Sequence, residues 1–63
     1  MVEYIPKIKY LLMFTDPLKI EKISKHNFKQ ISFFNDVFIV EDIFTYCKVK
    51  DKTKAYKIYE EWV

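Results

Sequence analysis

The chain has no glycine, no arginine, one cysteine and two prolines among its 63 residues. Without glycine it has no Gly-rich phosphate loop, no dinucleotide fingerprint and no nucleophile elbow, because each needs a backbone position that only a residue lacking Cβ occupies without strain. No enzyme is expected. Cys47 alone closes no internal disulfide, and one cysteine with the single His26 supplies no short-spaced zinc set. No cofactor or metal is expected, stability must come from packing, and a reducing cytoplasm is the expected compartment. All eleven basic residues are lysine, which removes the bidentate guanidinium contact that most often reads guanine or clamps phosphate. The longest uncharged apolar run, Tyr10 to Thr15, is far too short to cross a bilayer, and Glu3 with two nearby lysines is not a signal-peptide pattern. No membrane partner is expected.

What is present is apolar and aromatic. The hydrophobic fraction is 51% and the aromatic fraction 19%, with six Phe, five Tyr and one Trp. That is enough apolar surface to offset chain entropy, so one packed domain spanning residues 1–63 is expected, near the lower size at which a chain folds alone. The aromatics exceed what one small core hides, which points to a bound partner or a homodimer. The abundance of Lys, Ile, Phe, Tyr and Asn has the look of an AT-rich genome.

The spacing predicts an α+β domain with an N-terminal strand, a short helix, a β-hairpin and a C-terminal helix. Alternation of Ile8, Tyr10, Leu12 and Phe14 favours a strand within Tyr4 to Phe14, with a short helix from Pro6 as the alternative. Asp16 before Pro17 is a helix-start signature, so a helix is expected from Pro17 to about Lys25, with Leu18, Ile20 and Ile23 as its apolar stripe. Phe28 to Phe34 and Val37 to Val40, joined by Asn35 and Asp36, read as a hairpin. Asp42 is placed to cap a short helix of Ile43 to Lys48, against a competing extended reading of Ile43 to Val49. Ala55, Ile58, Tyr59 and Trp62 share one face of a C-terminal helix.

The stretch VFIVEDIFTYCKVKDKTKAYKIYEEWV, residues 37–63, resembles the Bro-N-type module near the start of phage and insect-virus antirepressors. The strand is Val37 to Val40, the acid Asp42, the short helix Ile43 to Cys47, and the opening pair of the next helix Lys54 with Ala55. Lys48 stands where the family pattern has glycine. The resemblance implies a viral or phage helix-turn-helix that regulates transcription on double-stranded DNA, its last helix entering the major groove. Lys50, Lys52, Thr53, Lys54 and Lys57 would then contact phosphates. The plainer reading of these lysines is a solvated face.

The rival expectation is a protein-binding module, such as a phage-encoded inhibitor of a host enzyme or defence factor, acting through Tyr4, Tyr10, Phe33, Tyr56 and Trp62. A small self-assembling structural protein is a further reading. His26 lies among polar neighbours and Cys47 in an apolar stretch, so neither reads as catalytic. Glu41 with Asp42, and Glu60 with Glu61, point apart as neighbours do on any element, and read as caps or solubilising charges.

Overall fold

Residues 2–63 are described by a computed structural model, in which five strands and one helix follow in order. These are β1 (Ile5–Pro6), β2 (Lys19–Ser24), β3 (Asn27–Phe34), β4 (Val37–Glu41), β5 (Thr45–Val49) and α1 (Lys52–Glu61). The hairpin of β3 and β4 turns at Asn35 and Asp36, with φ of 52° and 62°. Two successive left-handed residues make the turn whose twist suits a hairpin, and asparagine and aspartate are the side chains that tolerate it when glycine is absent. The register then places Phe34 opposite Val37, Phe33 opposite Phe38 and Ile31 opposite Val40. The sheet extends to the order β1-β5-β4-β3-β2, with every pairing antiparallel.

Strand alternation gives the sheet two unlike faces. On one, Ile31, Phe38, Val40, Cys47 and Val49 meet Ala55 and Tyr59 of α1, forming the apolar core. The helix forms where the spacing of Ala55, Ile58, Tyr59 and Trp62 places it, and Asp51 caps it by accepting from the Thr53 amide at 3.1 Å. On the other face, Gln30, Ser32, Ile39 and Glu41 are all buried beneath residues 7–18, a segment without regular structure.

Two expected elements are corrected, and with them the expected fold: the chain makes a five-stranded antiparallel sheet with one C-terminal helix, not a strand and short helix ahead of a hairpin. The helix expected from Pro17 to Lys25 is β2, paired to β3 from Lys19 opposite Ile31 to Ser24 opposite Asn27. Hydrogen bonding to a neighbouring strand overrides the modest helix preference of a short stripe. The strand expected over Tyr4 to Phe14 shrinks to Ile5–Pro6, because the chain then leaves the β5 edge and crosses the sheet. Of the two readings left open over Ile43 to Val49, helix and extended, the extended one holds as β5. Asp42 Oδ1 does accept from two successive amides, Phe44 at 2.8 Å and Thr45 at 2.7 Å, as a capping residue would. Here those bonds close a turn between strands, tightened by the Asp42 amide donating to the Thr45 carbonyl at 2.9 Å.

Candidate functional site

Glu41, at the end of β4, is fully buried beneath the irregular segment. Its Oε1 accepts from the Lys7 ammonium and from the Met13 amide at 3.0 Å, and its Oε2 accepts from Gln30 Nε2 at 2.7 Å. Gln30 Nε2 also donates to the Phe14 carbonyl at 2.8 Å, and Lys7 Nζ to the Leu11 carbonyl at 2.9 Å. A buried charge persists only when paired and hydrogen-bonded, and this network meets both conditions. It fastens residues 7–14 across the sheet as a cover. The adjacent carboxylates Glu41 and Asp42 therefore do not solubilise the surface, since both are buried.

The Met13 amide and the Phe14 carbonyl turn toward the sheet, while Ile8, Tyr10 and Leu11 of the cover face outward. Ile8 is 99% exposed, Tyr10 67% and Leu11 51%. Tyr10 rests on Phe44, with ring centroids 5.1 Å apart, and Phe14 on Phe34 at 5.5 Å. Two clefts adjoin at Met13 and Tyr46. One, of about 240 Å³, runs over Phe34, Val37 and Ile39 to Lys48. The other, of about 440 Å³, runs over Ile5, Pro6 and Leu11 to Lys9. No carboxylate lines either cleft, and Lys9 and Lys48 stand exposed on their rims.

On the helix side Asp42 plays the corresponding part. Its Oδ2 accepts from Trp62 Nε1 at 3.0 Å and Asn27 Nδ2 at 3.3 Å, while Asn27 Oδ1 receives the Ile43 amide at 3.0 Å. Burial pushes its carboxyl upward, but bonds from Trp62, Phe44, Thr45 and Asn27 outweigh burial and leave the pKa below 3.8. Buried Lys29 reaches the end of α1, donating to the Tyr59 carbonyl at 2.9 Å with its ammonium 4.7 Å from the Tyr59 ring centroid. A cation there suits the negative end of the helix dipole. Burial first, and the neighbouring Glu21 carboxylate second, hold the Tyr59 phenol far above its usual range. Burial likewise raises the Cys47 thiol, which is enclosed in the core.

The residues singled out in the sequence fall into separate places. Lys50, Lys52, Thr53, Lys54 and Lys57 are all exposed around the start of α1, but no second helix stands beside them among the described residues. The aromatic set is divided. Tyr4 and Trp62 meet at 5.6 Å near the end of α1, where Trp62 is tied to Asp42. Phe33 stacks on Phe38 at 4.7 Å and Tyr56 meets the same ring edge-on at 6.3 Å, at the hairpin end. Tyr10 alone belongs to the cover. Ile8, Leu11, Met13 and Phe44, which carry most of the outward apolar surface, were not singled out by the sequence; the one signal they gave was the apolar excess itself.

Fold and surface together define a small antiparallel sheet closed by a helix on one side and by an apolar, groove-bearing flap on the other. No protein-family model matches the chain, nor does any curated protein or solved structure. No helix is long and apolar enough to cross a membrane among the described residues.

Proposed function

We propose that the protein is a protein-binding module whose cover and adjoining clefts receive an apolar segment of a partner protein flanked by acidic residues. The observation that carries this reading is the outward apolar surface of the cover, where Ile8, Tyr10 and Leu11 lie more than half exposed beside clefts rimmed by lysine and free of carboxylates. Contiguous exposed apolar surface of this kind is the usual mark of an interaction site. Acids on the partner answer Lys9 and Lys48, and its apolar side chains fill the clefts.

The duplex-binding reading has less support. It needs two helices joined by a cationic turn, and the first of these is β5. One of the amides at the start of α1 that a phosphate would seek, that of Thr53, is already bonded to the Asp51 carboxylate.

The test is selection from a random peptide library followed by nuclear magnetic resonance titration of a selected peptide. Selected peptides are expected to combine apolar anchors with acidic flanks and to shift signals of Leu11, Met13, Tyr46 and Lys48. Ile8→Asp with Leu11→Asp is expected to abolish binding while the fold is retained. Shifts confined to Lys50, Lys52, Lys54 and Lys57, with salt-sensitive duplex binding, would overturn this reading in favour of DNA.

A further inference from the structure

β2 forms one end of the sheet, and its outer side is unpaired among the described residues. An unpaired edge presents a row of backbone donors and acceptors that another strand can join. The sequence of β2, Lys-Ile-Glu-Lys-Ile-Ser, decides which strand suits it.

We propose that the occupant is β2 of a second copy, paired antiparallel about a twofold axis at Ile20, so that two five-stranded sheets become one. A twofold axis perpendicular to the sheet keeps each face on its own side, so the axis must fall on a residue and not between residues. That restriction leaves few registers. Centring on Lys19, Glu21 or Lys22 sets like charges directly opposite one another, which is destabilising. Centring on Ile23 runs into the irregularity between Lys22 and Ser24 that breaks the regular edge. Centring on Ile20 sets Ile20 against its copy and places each Lys19 opposite the other copy's Glu21.

Charge and apolar surface both favour this register. Lys19 Nζ and Glu21 Oε1 stand 4.0 Å apart on the helix side of the strand, each about half exposed, so pairing would join four alternating charges. On the opposite face Ile20 pairs with Gln30, and Lys22 with Phe28. Ile20 is 48% exposed, and pairing would bring it against its copy on that face.

The test is sedimentation equilibrium of the full chain from micromolar to millimolar concentration, with circular dichroism confirming the fold of each variant. The wild type is expected to dimerise. Lys19→Glu or Glu21→Lys alone is expected to raise the dissociation constant about tenfold or more, since each places like charges in opposition. The combined K19E/E21K chain is expected to return to within about threefold of wild type, because the swap restores the pairing. If one single variant unfolds, the other tests the same pair from its opposite side. A wild type that stays monomeric, or a dimer indifferent to all three variants, overturns the proposal. Either result leaves the peptide-groove reading untouched, since that reading rests on Ile8 and Leu11.

Discussion

The two faces of one sheet are closed in opposite ways. Against the helix the sheet presents mainly apolar side chains, with Lys29 the polar exception; against the cover it presents Gln30, Ser32 and Glu41 beside Ile39. The difference follows from backbone hydrogen bonding. A helix satisfies its own amides and carbonyls, so its partner need offer only apolar surface. An irregular segment does not, and its buried peptide groups need donors and acceptors from outside. Glu41 and Gln30 answer the Met13 amide and the Phe14 carbonyl, and Lys7 folds back to the Leu11 carbonyl. With these peptide groups turned inward, the cover leaves Ile8, Tyr10 and Leu11 in water beside the clefts.

Removing Glu41 should produce the largest effect. Glu41→Ala leaves a buried ammonium and an unanswered amide, at a cost of about 3–5 kcal/mol. A domain of this size has a total stability of roughly that order, so the variant should be largely unfolded at 25 °C by far-ultraviolet circular dichroism. A fully folded Glu41→Ala chain would show that the cover is not fastened by this network. Next in size is a matched pair that sharpens the contrast between faces. Ile31→Ala, in the helix-side core, should cost about 2–4 kcal/mol in urea denaturation. Met13→Ala, in the half-exposed cover, should cost about 1 kcal/mol or less. Equal losses would mean that the cover is packed as tightly as the helix.

The hairpin and the C-terminal helix were legible in the sequence because each carries a local signal: Asn35-Asp36 between two β-rich runs, and a repeat of Ala55, Tyr59 and Trp62 along one face. β2 was not, since Leu18, Ile20 and Ile23 have helical spacing and Asp16-Pro17 is a helix start; only pairing with β3 decides otherwise. For residues 43–49 the sequence leaves helix and strand open, because an aspartate accepting amides two and three residues on serves a turn as well as a helix. Lys7 and Glu41 lie 34 residues apart, so no local pattern links them. For the site, Tyr10 was legible as an exposed aromatic, but the outward facing of Ile8, Leu11 and Met13 depends on which way a non-repeating backbone turns its polar groups.

A further effect, of modest size and dependent on pH, concerns the helix side. Asp42→Asn should cost about 1–2 kcal/mol at neutral pH through weakened bonds to Trp62 and the turn amides. The wild-type carboxyl has its folded pKa below 3.8, so its contribution is present above that value and is lost as pH falls through the folded pKa. Urea titrations between neutral and strongly acid pH should therefore show wild type and Asp42→Asn converging at the acid end. Parallel curves would remove Asp42 from that role.

Glu41 and Asp42 are consecutive, and strand alternation sends one carboxylate to each side of the sheet. Each outer layer thus has one of its ties on a single peptide unit at the end of β4. A tug that slides this unit along the strand strains a flap tie and a helix tie at once.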